Sequence, residues 1–101
     1  MVVCAGSMSL EFEWDASKAR LNARKHGVTF AEGLSVFRDA LARIFDDPEH
    51  SGNERRELII GHSVGQHLLV VAFTERGSRI RLISARFATT RERQDYEQNT
   101  K

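Results

Sequence analysis

The chain predicts an α+β domain with a mostly antiparallel sheet, two N-terminal helices and a short C-terminal helix. Three observations lead there. Helix-start signals gather in the first third, where Asp15 precedes an alanine stripe and Thr29-x-x-Glu32 opens a second amphipathic run. In the second half, three strand-like runs at 57–63, 67–75 and 79–86 are separated by turn residues, giving two consecutive hairpins. Residues 68–73 are apolar at every position, as a central strand covered on both faces would be.

Each element has its own warrant. Residues 1–9 read as a disordered tail ahead of a single domain over 10–98. Residues 10–14 (LEFEW) alternate apolar and acidic side chains, the period of a half-buried strand. Asp15 then caps a helix over 16–26, with Ala16, Ala19 and Ala23 on one stripe, and Gly27 closes it. Phe30, Leu34 and Phe37 recur at helical spacing behind the Thr29 cap. A further strand over 40–45 precedes a polar loop holding the only proline, Pro48. Turns at Val64-Gly65 and Gly77-Ser78 join the later strands. Thr89-x-x-Glu92 is a second capping box, opening a final helix that contains Tyr96. The order is β-α-α-β-β-β-β-α, without repeats or linkers.

Composition narrows the function. The chain has 101 residues, 41% of them hydrophobic, enough for one core. A single cysteine, Cys4, makes no disulfide framework, which fits a reducing cytoplasm. The four histidines have no H-x₃-H spacing or cysteine companion, so no metal site is expected. Residues 1–6 lack the basic and apolar regions of a signal peptide, and no apolar run approaches a membrane span. Gly61-His62-Ser63-Val64-Gly65 has the letters of a hydrolase elbow but falls at a hairpin turn, where no strand enters a helix.

Charge is the distinctive feature. Net charge is only +1, yet residues 76–93 hold six arginines (76, 79, 81, 86, 91 and 93) against one acid, Glu92. Guanidinium forks match phosphate oxygens, so this window points to RNA or DNA contact. The alternative is a solvated rim paired with Glu75, Glu92 and Asp95. Reading of duplex DNA by this chain alone is disfavoured by its near-zero charge and the lack of a basic helix-turn-helix face.

Taken in order, FEWD (12–15), KHGV (25–28), HS (50–51), Arg56 with Ile60-Gly61, TER (74–76) and ISAR (83–86) closely resemble the BrnT family, toxin halves of bacterial type II toxin–antitoxin pairs. The resemblance spans about residues 10–97. It implies a RelE-like fold and a cytoplasmic endoribonuclease that blocks translation without a cofactor. It also implies a BrnA-type antitoxin that forms a hetero-oligomer with the chain and alone brings it to operator DNA. Three departures accompany it: Gln66-His67 stands where Gly-Arg is common, Phe73 where tyrosine is frequent, and Arg55 where an acid often stands.

Metal-free RNA cleavage needs the 2′-hydroxyl deprotonated, the phosphorane charge stabilised and the leaving oxygen protonated. By the resemblance, Arg56, Arg76 and Arg86 are the phosphate-facing cations. His50, next to Ser51 in the polar loop, and Glu54 are the proposed proton-transfer groups. Lys25, His26, Arg81, Arg91 and Tyr96 are assigned to RNA binding, Tyr96 as a stacking ring, with packing of that ring on the sheet as its alternative use. A one-residue slip of hairpin register flips every side chain, so the sequence leaves open which arginines share a face. A second reading stays open too: an inactive family member that binds its antitoxin as a co-repressor.

Overall fold

The computed structural model describes residues 2–6, 11–47 and 55–99. Strand β1 spans Val2–Gly6, β2 Glu11–Asp15, β3 Arg43–Asp46, β4 Glu57–His62, β5 Leu68–Arg76 and β6 Arg79–Phe87. Helices α1 (Ala16–His26) and α2 (Phe30–Ser35) follow β2, and α3 (Thr90–Asn99) follows β6. The strands form one sheet in the order β1-β2-β6-β5-β4-β3.

Most element ends obey the local signals. Asp15 accepts the amide protons of Ser17 and Lys18 at 2.8 and 3.1 Å, and Gly27 closes α1 at φ 72°. Thr89 and Glu92 form the full reciprocal box: the Glu92 amide donates to Thr89 Oγ1, and the Thr89 amide donates to Glu92 Oε1. The box at α2 is only half made. Thr29 Oγ1 accepts from the Glu32 amide, but the Glu32 carboxylate turns away to Ser63 Oγ at 2.6 Å and His67 Nδ1 at 2.7 Å. Those bonds hold its carboxyl below the usual range, the Ser63 hydroxyl contributing most. They pin the β4–β5 turn to α2.

Two departures from the sequence reading stand out. Val2–Gly6, read as tail, pairs antiparallel with β2. Main-chain pairing covers an otherwise open β2 edge and needs no side-chain pattern to announce it. The strand read over 40–45 is shorter and later, because Asp39 and Ala42 close a turn first. The two hairpins of β4, β5 and β6 are antiparallel as expected, while β2 joins β6 in parallel.

Strand β5 lies centrally and is buried over Leu68–Thr74. Its Leu69, Val71 and Phe73 join Phe12, Phe30, Val36 and Leu82 in the main core under α1 and α2. Its Leu68 and Val70 meet Ile60 and Tyr96 under α3. Phe73 packs edge-on against Phe37, ring centres 5.1 Å apart. A tyrosine hydroxyl at 73 would point into this core rather than toward the basic face, so that departure removes no phosphate contact.

The β4–β5 turn contains Gln66 at φ 64°, the left-handed region in which glycine is at ease. Gln66→Gly is therefore expected to raise stability by about 0.5–1 kcal/mol, net of the entropy glycine adds to the unfolded chain. Chemical denaturation midpoints of the two chains measure it.

Candidate functional site

Register decides which arginines meet. On β5 and β6, Thr74 pairs with Arg81, Phe73 with Leu82, Ala72 with Ser84 and Val70 with Arg86. Ile83 is left without a partner, a bulge that resets the alternation of β6. Arg81 and Arg86 are five residues apart and would otherwise point to opposite faces. With the bulge, both project from the face that α3 partly covers, while Leu82 and Ala85 fill the core behind.

Arg56 joins them. It immediately precedes β4, whose Glu57 pairs with Phe73, so continued alternation sets Arg56 beside Thr74 and in line with Arg81. The buried Thr74 hydroxyl donates to the Arg55 carbonyl at 2.7 Å and anchors this entry. Arg56 is half-buried, and none of the described residues makes a hydrogen bond or ion pair with its side chain. Strand spacing puts the Arg56 and Arg81 backbones about 10 Å apart, and Arg81 and Arg86 about 13 Å apart. Between them in the register lies the pair Ala72 and Ser84, both with small side chains.

Two of the three cations are held by carboxylates. Arg86 forks onto Glu92 with bonds of 2.8 and 2.9 Å. The Arg86 guanidinium beside it holds the Glu92 carboxyl down at about 2. Arg81 donates to Glu13 at 3.2 Å. Since Glu92 also closes the α3 capping box, one carboxylate fixes both the helix start and the Arg86 side chain. Its folded pKa lies below its ordinary 4.5, so its stabilising contribution is present above about pH 4.5 and fades as pH falls toward 2. Glu92→Gln is expected to remove on the order of 2 kcal/mol of acid-dependent stability between pH 5 and 2, after solvent screening. Urea titrations at stepped pH values would reveal it as a flatter profile.

The other assigned residues divide. Arg76 pairs with Arg79 at the far end of the β5–β6 hairpin, about 20 Å along the strand from Arg86. It is therefore not part of the Arg56–Arg81–Arg86 group. Tyr96 is 5% exposed within the second core cluster, and its hydroxyl donates to Asp39 at 3.3 Å. Its ring is packing, not an open stacking platform. Lys25 and His26 close α1, and Arg91 is exposed in the first turn of α3. Among the described residues no hydrogen bond or ion pair ties these three to the arginine face. His50 and Glu54 lie outside the described residues. The chain leaves at Asp47 and returns at Arg55, where the Asp47 amide bonds the Arg56 carbonyl at 3.1 Å.

Asn22 was missed by sequence reading. Beyond Arg81, β6 has no strand partner on its outer side among the described residues, and Asn22 of α1 takes that place. Its Nδ2 donates to the Ala85 and Val28 carbonyls, and its Oδ1 accepts from the Ala85 amide. An asparagine inside an alanine-striped helix was the available signal. A hollow of about 450 Å³ lies away from Arg56, Arg81 and Arg86, at the β4–β5 turn, lined by Arg38, Asp39, His62 and Gln66. Burial pushes the Asp39 carboxyl up, but the amides of His62 and Leu41 and the Tyr96 hydroxyl hold it below the usual range. Ser63 is 4% exposed and donates to Glu32, so it is not a presented nucleophile. Among the described residues no three His, Cys, Asp or Glu side chains are grouped to hold a metal ion. No helix among them is long and apolar enough to cross a membrane.

A small α+β domain presenting guanidinium groups over one face of its sheet defines a protein suited to handling phosphodiesters. Residues 14–92 match the family described as the ribonuclease toxin, BrnT, of type II toxin-antitoxin systems. The chain belongs to that family. It is similar to the 1.1 Å crystal structure of the Brucella abortus ribonuclease toxin BrnT, with 29% identity and a TM-score of 0.58. That likeness covers 76% of this chain and 94% of the other. No curated protein matches the chain.

Proposed function

We propose that this chain is a cytoplasmic, RelE-like toxin that cleaves RNA without a metal, blocks translation and is neutralised by a BrnA-type antitoxin. The supporting observation is the shared face of Arg56, Arg81 and Arg86 around the Ala72–Ser84 pair. Fixed guanidinium groups stabilise charge that develops on a phosphorane, and they need no reorganisation as it forms. Arg86 is the best prepared, since Glu92 holds its fork in one orientation. Arg56 brings a half-buried charge that a phosphate oxygen would satisfy. Proton transfer is assigned to His50 and Glu54, in the segment joining Asp47 to Arg55. Lys25, His26 and Arg91 extend contact along the RNA backbone, and Arg76 acts at its periphery.

Digestion of RNA by the purified chain in excess EDTA tests the reading. Cleavage is expected to persist with the chelator, to stop on adding antitoxin and to fall at least tenfold in Arg56→Ala. Intact RNA under all conditions would refute it.

One observation favours a second reading. Arg81 and Arg86 are already engaged by Glu13 and Glu92, so a phosphate must share them with carboxylates. A chain that leaves RNA whole yet tightens antitoxin binding to operator DNA would be the co-repressor instead.

A further inference from the structure

Between β3 and α3 runs a groove of about 360 Å³, within the range of small-ligand sites. Ile60 and Tyr96 form its apolar floor, Arg43 and Phe45 its strand wall, and Glu92 and Asp95 its helix wall. Arg43 pairs with Ile60 and Phe45 with Leu58, so both project from the arginine face. Phe45 is 43% exposed and belongs to neither core cluster. Tyr96 lies beneath as packing, while Phe45 offers the open ring on this face.

An exposed ring, an apolar floor, a guanidinium on one side and a carboxylate on the other suit a nucleobase. The ring stacks on the base, and the two charges read its edges. Guanine presents N1–H and the N2 amino group to a carboxylate, and O6 and N7 to a guanidinium. Adenine and cytosine turn a ring-nitrogen lone pair toward the acid, and uracil supplies one N–H. Glu92 lines the groove and also holds Arg86, which makes base site and phosphate grip neighbours. Arg43 and Asp95 each already have a partner of their own, so a base exchanges existing contacts for its own.

We propose that this groove binds a guanine base of the RNA beside the phosphate at Arg86, with Phe45 stacking on it, Asp95 accepting from its N–H groups and Arg43 donating to O6 and N7. The RNA context rests on the ribonuclease reading, whereas base selection is separately measurable.

Calorimetric titration with GMP, AMP, CMP and UMP is the test, alongside mapping of cut sites in an RNA of mixed sequence. GMP is expected to bind about tenfold tighter than the others, with cuts falling next to guanines. Phe45→Ala and Asp95→Asn should each weaken GMP binding by about tenfold with circular dichroism unchanged. Equal affinity for the four nucleotides, or GMP binding untouched by Phe45→Ala, overturns the proposal. Selective GMP binding without RNA cleavage would support the pocket and sink the ribonuclease reading; indiscriminate cleavage without GMP selectivity would do the reverse. If Phe45→Ala keeps GMP selectivity and cut sites but releases the antitoxin, the groove is a protein interface and the proposal fails.

Discussion

Replacing Arg86 with alanine is expected to slow RNA cleavage by about 10²–10³-fold, the usual cost of removing one fixed donor from a developing oxyanion. The size follows from its preparation: two bonds of 2.8 and 2.9 Å to Glu92 hold the guanidinium before substrate arrives. Arg86→Lys should recover little, because one ammonium cannot fork across a carboxylate and a phosphate together. The fold should survive, since Glu92 keeps the Thr89 amide and a partly exposed ion pair contributes only about 1 kcal/mol. Initial cleavage rates, with growth arrest on expression without antitoxin, measure the effect. An Arg86→Ala chain that cuts RNA and stops growth at the parental rate would remove Arg86 from the mechanism.

The largest effect on stability should come from Asn22→Ala. Three bonds of 2.8–3.1 Å disappear. The Ala85 amide and carbonyl, at a fully buried residue, lose their partner. Unpaired buried polar groups cost about 1–3 kcal/mol each, and partial relaxation brings the expected total to about 3 kcal/mol. For a domain of this size that lowers Tm by about 12 °C or more. Asn22→Asp should be worse, since a carboxylate cannot donate to either carbonyl and its charge would be buried. Thermal melts of the three chains decide the matter, and a loss below about 1 kcal/mol for Asn22→Ala would mean water replaces the amide.

The legible parts of this fold are those written in neighbouring residues. Asp15, Gly27, Thr89 and Glu92 act within a few positions of themselves, and the helices they bound lie where local chemistry sets them. The apolar run 68–73 suggests a strand buried on both sides, and it is one. Glu32 reads locally as a cap but answers to Ser63 and His67, because a hydroxyl and an imidazole brought in by the β4–β5 turn outcompete its own helix start. Tyr96 reads as a stacking ring or as packing, and only the position of α3 against β4 and β5 shows that it is packing.

The site was half-written. Sequence placed arginines at strand ends and starts but not on faces. A single unpaired residue, Ile83, brings Arg81 and Arg86 to one side, and hairpin length carries Arg76 away from them. Phe45 had no local mark as a surface ring. It acquires one because, among the described residues, β3 ends the sheet and is paired on one side only.

By itself, then, the order of residues determined the three helices, the two later hairpins, the buried central strand and the family to which the chain belongs. Tertiary structure alone decided the parallel junction of β2 with β6, the edge role of Asn22 and the membership of the arginine face. The reason is physical: helix caps and apolar periodicity act over one turn or one strand, whereas side-chain facing depends on pairing between strands far apart in sequence, and one extra residue in a ladder reverses it.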